Sequence, residues 1–304
     1  MPVQRKVVVV GSVNQDIVLS VPSIPSAGET LLATSSRLAT GGKGANQAVA
    51  AARSGATTQF VGAFGADSAA IGLRETLERE GVQIIPFPYS TKPSGRAIVM
   101  VDDGGDNAIV VDQGANGDLA ADFVDQQLRR MTPADVLIVQ CELSQATIDA
   151  ALAAGRRRGA TVILNLAPYR RLSTEALACA SVIVVNESEA AGLASAALPL
   201  SDPAAVARSI ASAYSCACIV TLGERGSVTA DGALVTEVPA APVARVVDTT
   251  GAGDAFVGVL GAKLAEGLEL VAAVGSATAA AAHTVRALGA QTFPTAGELA
   301  AAQQ

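Results

Sequence analysis

The sequence predicts an α/β fold: a doubly wound, mainly parallel sheet with helices on both faces, plus a small β-sheet lid. Three observations predict it. Short apolar, largely β-branched runs at 6–10, 58–62, 136–140, 161–165, 182–185 and 217–222 alternate with helical patterns at 44–54, 67–81, 118–130, 144–158, 186–195, 202–214, 252–266 and 270–287. Glycine turns open two of those helices, at Gly41-Gly42-Lys43-Gly44 and at Gly251-Ala252-Gly253. Two strand-like excursions interrupt the alternation, one through 17–21 and 29–39, the other through 95–101 and 107–112 with a turn over Asp102–Asp106. Paired with each other, they would form the lid.

Composition sets the bounds. The chain has 304 residues, half of them hydrophobic, enough for one large domain over 1–304 with a lid from about 12–41 and 93–115. Aromatics are 3% and tryptophan is absent, so Ala, Val, Leu and Ile must build the core. A formal net charge of -7 argues against nucleic acid as a partner, because phosphate-backbone binding depends on Lys and Arg. Cys141, Cys179, Cys216 and Cys218 lack zinc-site spacing and read as buried free thiols. The four valines before Gly11 are too few for a signal-peptide core, and Val271–Val285 carries Ser276, Thr278, His283 and Thr284, so neither reads as a membrane segment. A cytoplasmic protein is expected. His283, the single histidine, reads as a packed or rim residue.

In chain order, the first strand ends at Gly11 and is followed by Asn14-Gln15-Asp16. No Gly-x-Gly-x-x-Gly follows it, which excludes a Rossmann oxidoreductase. Asn14 and Asp16 are either turn residues or, if extended, an amide and a carboxylate on one face suited to a polyhydroxylated ligand. Gly41-Gly42-Lys43-Gly44-Ala45-Asn46-Gln47 opens a helix of small residues, and its spacing does not fit a Walker phosphate loop. Cys141, Glu142, Asn165, Asn186 and Gly223 all fall just past strands, where α/β sheets gather ligands. Asn186 and Glu189 have capping-box spacing. Thr221-Leu222-Gly223-Glu224-Arg225-Gly226-Ser227 is a glycine-rich turn between two strands.

The strongest string is Asp248-Thr249-Thr250-Gly251-Ala252-Gly253-Asp254-Ala255-Phe256. It reads as strand end, glycine turn and helix. The first-turn N–H groups lack intrahelical partners and carry the positive end of the helix dipole, which makes an anion hole. Asp254 at its lip is either a cap, worth about 0.5–2 kcal/mol, or a general base beside a transferring phosphoryl group.

Both glycine strings resemble the two signatures of the ribokinase-like (PfkB-type) family of sugar and nucleoside kinases, in the same order. The Gly-Gly-Lys-Gly-Ala-Asn form is similar to that of its ribose-type members. The resemblance implies ATP-dependent phosphorylation of a sugar hydroxyl, O5 if the substrate is D-ribose. Deoxyribose, fructose and nucleoside kinases are the alternatives within the family, and a non-catalytic sugar or nucleotide sensor is the alternative outside it.

By the same resemblance, Asn14, Asp16, Gly42, Lys43, Asn46 and Glu142 hold the sugar. Asp254 takes the proton, with Gly251, Ala252 and Gly253 forming the anion hole. Asn186, Thr221–Ser227, Gly253 and Thr278 serve ATP, and Glu189 serves Mg2+, largely through water. Asp248, Thr250, Thr284, Ala287 and Gly289 are implied to bind K+. Relatives end the 289–294 loop with a serine ligand. Here it reads Gly289-Ala290-Gln291-Thr292-Phe293-Pro294, so Thr292 is the candidate replacement. A homodimer through the lid is also implied.

Overall fold

The computed structural model describes residues 5–88, 90–104, 106–194 and 201–302. In chain order the elements are β1 (Lys6–Val10), β2 (Asn14–Val21), β3 (Ser35–Gly41), α1 (Lys43–Arg53), β4 (Thr57–Ala63), α2 (Ala69–Arg79), β5 (Gln83–Phe87), β6 (Gly95–Asp102) and β7 (Asn107–Asp112). The chain continues with α3 (Ala121–Leu128), β8 (Val136–Gln140), α4 (Gln145–Arg157), β9 (Thr161–Asn165), α5 (Thr174–Leu177), β10 (Val182–Asn186), α6 (Glu187–Leu193) and α7 (Pro203–Tyr214). It closes with β11 (Ala217–Thr221), β12 (Ser227–Asp231), β13 (Leu234–Val238), α8 (Ala252–Glu266), α9 (Leu270–Thr284) and α10 (Ala296–Ala302).

Nine strands form the main sheet in the order β13-β12-β11-β10-β9-β8-β1-β4-β5. Its neighbours are parallel except at β11–β12 and β12–β13. The β-branched runs are continuous because both faces are covered. Val8 and Val10 of β1 pack with Leu137, Ile148 and Val206 on one side. Val7 and Val9 pack with Ile138, Val49 and Leu260 on the other. The second sheet has the order β3-β2-β6-β7, with β2 and β6 parallel and the outer pairs antiparallel. The two excursions thus pair into one lid.

Small residues bring the two glycine-led helices together. A methyl group on Gly258 of α8 would lie 2.5 Å from the Gln47 carbonyl oxygen of α1, and one on Gly261 would lie 2.6 Å from Ile138. Gly258 thus lets α8 approach α1, and Gly261 lets it approach β8, which sets the start of α8 beside the start of α1.

Several sequence expectations need correction. The strand expected at 29–39 begins only at Ser35, where Ser35 pairs with Ser20; Pro22, Pro25 and Gly28 leave a wide loop before it. β5 is not among the expected strands, and Pro86 lies inside it. As the edge strand beyond β4 it tolerates the missing N–H. The helix expected at 118–130 is a 3-10 turn over Gly114–Asp118 followed by α3, and that at 270–287 stops at Thr284. β13 and the short helices α5 and α10 were also missed. Cys179 and Cys216 are half-buried rather than buried, although all four thiols are free. Met1–Gln4, Gly105 of the expected turn and residue 195 of the expected helix lie outside the described residues. Among the described residues no helix is long and apolar enough to cross a membrane.

Candidate active site

Two glycines with positive φ shape the site. Gly42 precedes α1 with φ 88°, and a methyl group there would lie 2.8 Å from the Val13 Cα. Gly251 precedes α8 with φ 83°, and a methyl group there would lie 2.2 Å from the Ala290 carbonyl oxygen. Each adopts the left-handed region because its helix start is pressed against another segment. Gly251 thereby seats the 289–292 loop on the head of α8.

The Ala252 N–H turns back onto the Thr249 carbonyl at 3.3 Å, so it is engaged where the sequence suggested it would be free. Among the described residues no acceptor takes the N–H of Gly253 or Asp254. Those two groups, with an exposed Gly253 and nothing within 4 Å of its missing side chain, are the open part of the anion hole.

Asp254 is buried at the head of α8. Its Oδ2 accepts from Asn46 Nδ2 at 2.9 Å, across 208 residues of sequence, and its Oδ1 accepts from Gln47 Nε2 at 2.9 Å. The early and late glycine strings thus meet at one carboxylate. Gln291 Nε2 in turn donates to Asn46 Oδ1 at 3.2 Å, tying the 289–292 loop to the same point.

Around Asp254 the early residues are held by a dense set of hydrogen bonds. Asn14 is buried, and its Oδ1 accepts from Asn116 Nδ2 at 2.8 Å, which leaves the Asn14 amide N–H groups for a ligand. Glu142 Oε2 accepts from Ser12 Oγ at 2.5 Å and from the Lys43 N–H at 3.1 Å. The Asp254 carboxylate holds the Lys43 ammonium above its ordinary range, Glu142 and Glu189 adding to this and burial opposing it. Asp16 lies beneath Gly41, where a methyl group would come within 2.0 Å of its Oδ2. Burial pushes the Asp16 carboxyl from 3.8 up to about 7, with Glu142 and Asp254 adding and Arg37 opposing. Its Oδ1 is buried with no hydrogen-bond partner among the described residues. A buried carboxyl oxygen with no partner among the described residues is suited to a ligand hydroxyl.

On the other side of Asp254 the geometry is looser. Asn186 and Glu189 form the expected capping box, with Glu189 N–H to Asn186 Oδ1 and Asn186 N–H to Glu189 Oε2, both 2.8 Å. Burial raises the Glu189 carboxyl, against the Asn186 N–H and Lys43. Gly223–Arg225 is a single exposed 3-10 turn. Asp248 Oδ1 accepts from the Thr250 N–H and Oδ2 from the Gly289 N–H, both at 2.9 Å. Burial raises the Asp248 carboxyl, but these bonds and Arg37 outweigh it and hold it below its ordinary value. Thr292 Oγ1 donates to the Thr284 carbonyl at 2.9 Å and lies 3.3 Å from that of Gly289.

The chain matches the profile of the pfkB family carbohydrate kinases over residues 4–296. It belongs to that family. It is 36% identical over 288 residues to the ribokinase of Bacillus subtilis (strain 168), covering 94% of this chain and 95% of that protein. The ribokinase structure from Thermotoga maritima superposes with a TM-score of 0.89 at 32% identity, covering 98% of this chain and 99% of that one. The Arabidopsis thaliana ribokinase complexed with ribose and ATP superposes with a TM-score of 0.86 at 28% identity, over 99% of both chains.

For a carbohydrate kinase, the placement of the expected residues is uneven. Asn46 touches Asp254 directly; Lys43, Asp16 and Glu189 interact with it through charge, and Glu142 interacts in the same way with Asp16 and Lys43. The Thr278 hydroxyl instead donates to the Val274 carbonyl of its own helix, and Ser227 is buried at the start of β12 with its hydroxyl unpartnered among the described residues. Neither side chain is free at the surface. Ser12, Gln47, Asn116 and Gln140 went unassigned in the sequence. Gln47 sits inside the quoted string, next to Asn46, and that adjacency was the one available signal.

Proposed function

We propose that this kinase transfers the γ-phosphoryl group of ATP to O5 of D-ribose, with Asp254 as general base. One observation carries the reading: the carboxylate at the anion hole accepts a hydrogen bond from Asn46, so the base stands at a residue proposed to hold the sugar. Asn14, Asp16, Gly42, Lys43, Asn46 and Glu142 orient the ribose hydroxyls. Asp254 accepts the proton of the attacking primary hydroxyl. The free N–H groups of Gly253 and Asp254 face the transferring phosphoryl oxygens, and Lys43 adds positive charge. Phosphoryl transfer has a loose transition state and depends chiefly on such positioning and charge.

ATP lies along Asn186, the 221–227 turn and the head of α8, met mainly by backbone. Mg2+ neutralises phosphate charge when bound. Glu189 suits it, because one carboxylate oxygen is spent on the cap and Mg2+ keeps most of its waters. The oxygens of Asp248, Thr250, Thr284, Ala287 and Gly289 suit K+ in kind, all being hard donors. The Thr292 hydroxyl stands among them in place of the missing serine.

The enzyme works in the cytoplasm as a homodimer through the lid. The outward apolar residues Leu38, Ile98, Ile109, Val110 and Val111 and the edge strand β7 favour such cover. The test is ATP consumption over D-ribose, 2-deoxyribose, fructose and nucleosides, each with and without K+. Ribose should give the highest kcat/KM; a nucleoside preference would overturn the substrate assignment.

A further inference from the structure

Behind Asp254 lies a line of buried amides that none of the sugar or nucleotide contacts uses. Gln47 and Gln140 are fully buried, and Asn165 nearly so. Gln47 Nε2 donates to Asp254 Oδ1 at 2.9 Å and to Asn165 Oδ1 at 3.0 Å. Gln47 Oε1 accepts from Gln140 Nε2 at 2.7 Å. Asn165 Nδ2 reaches the Val184 carbonyl of β10 at 3.3 Å. The line therefore runs from the sheet, at the ends of β8 and β9, through α1 to the first turn of α8.

The bonding fixes one orientation of the Gln47 amide. Both protons on its nitrogen point at acceptors, and its oxygen faces a donor. Turning the amide over would set its oxygen against Asp254 and Asn165 and its NH2 against the Gln140 NH2. Gln140 is itself confined. Its Oε1 is buried without a partner among the described residues, and a methyl group on Gly11 would lie 2.2 Å from it. A buried, unpartnered oxygen is destabilising, and a core of apolar side chains here would avoid it. Departures of this kind concentrate where geometry serves function.

We propose that Gln47, locked by Gln140 and Asn165, is a positioning residue that sets the angle of the Asp254 carboxylate toward the attacking hydroxyl. This rests on the reading of Asp254 as general base. Asn46 grips the other oxygen, so each carboxylate oxygen has one amide donor and the group cannot swing about its Cβ–Cγ bond without losing both. The Gln47 arm contains only neutral amides. It orients the carboxylate without offering a second titrating group to share the proton.

The test is steady-state kinetics on Gln47→Met, Gln140→Met and the double variant, with Asp254→Asn alongside. Gln47→Met should lower kcat about tenfold or more, with KM for sugar and for ATP changed by less than about twofold. Gln140→Met should lower kcat about threefold, and the double variant should match Gln47→Met rather than multiply the two losses. A packing defect alone would not divide kcat from KM in this way, nor cancel in the double variant. Should Gln47→Met fail to fold, Gln140→Met alone decides by the same division of kcat from KM. A kcat within twofold of the parent in Gln47→Met while Asp254→Asn is inactive, or multiplied losses in the double variant, overturns the positioning role. An active Asp254→Asn overturns the general-base reading instead.

Discussion

The two sides of Asp254 are built differently. Toward β2, α1 and the loop after β8, polar side chains are buried or half-buried and bonded to one another: Asn14 to Asn116, Glu142 to Ser12 and to the head of α1, Asp254 to Asn46 and Gln47. Toward β11, α6 and the 248–292 segments, the surface is glycine turns, helix starts and exposed side chains such as Arg225. The difference matches what each side must hold. Hydroxyl groups differ only in position, so telling them apart needs donors and acceptors fixed in advance. Phosphates carry charge and many acceptors, and backbone N–H groups at a helix start suffice for them. Substitutions on the wired side should therefore change which sugar is used and how fast. Substitutions on the open side should act mildly unless they touch the backbone.

The largest effect tests the carboxylate between the two sides. Asp254→Asn should keep the fold and ATP binding while losing about 10²-fold or more in kcat, measured by steady-state kinetics with ATP-binding calorimetry. Next is the backbone exception on the open side. Gly251→Ala must leave φ 83° or push the Ala290 carbonyl away. It should lower stability by about 1–3 kcal/mol and unseat the 289–292 loop, seen as a lower Tm together with reduced kcat.

Asp16 sharpens the contrast through pH. With its carboxyl raised from 3.8 to about 7 by burial and by Glu142 and Asp254, its neutral form is favoured in the ligand-free fold. Its contribution to stability is therefore present below about 4 and is lost as pH rises through about 7. Sugar hydroxyls bind the ionised form best, so kcat/KM for the sugar should fall as pH drops below about 7. Asp16→Asn should flatten both profiles while raising KM; a parent profile flat between pH 5 and 8 would refute this (a range spanning that value).

Smaller effects belong to the open side. Thr292→Val removes the hydroxyl shared by the Thr284 and Gly289 carbonyls and should raise the K+ concentration for half-activation about severalfold, read from K+ titrations of rate. Arg225→Ala breaks an ion pair with Glu187 whose side chains are 56% and 54% exposed. It should cost under about 1 kcal/mol in Tm-derived stability and shift KM for ATP by no more than about twofold.

Much of this was legible in the residues. The alternation of β-branched runs with helices fixes the layers, since period and length are local properties. The Asn186–Glu189 cap and the glycine helix starts are likewise set by neighbours three or four positions away. β5 was hidden because Pro86 argues against a strand unless its place at the sheet edge is known. That the Thr278 hydroxyl donates to the Val274 carbonyl of its own helix was not legible either, because a donor's partner depends on the rotamer the packing selects. Gln47 was hidden for a different reason: its partners Gln140, Asn165 and Asp254 lie 93, 118 and 207 residues away.

The sequence by itself determined the layered α/β plan, the lid excursions and the two glycine-led helix starts. Those follow from side-chain periodicity and from the backbone freedom of glycine, which act over a few residues. Tertiary structure alone decided that both helix starts converge on one carboxylate, that Asp16 is half-buried near other acids, and that neutral amides grip the proposed base. Burial, charge proximity and hydrogen-bond completion depend on which distant segments pack together, and here the small residues between α1 and α8 set that distance.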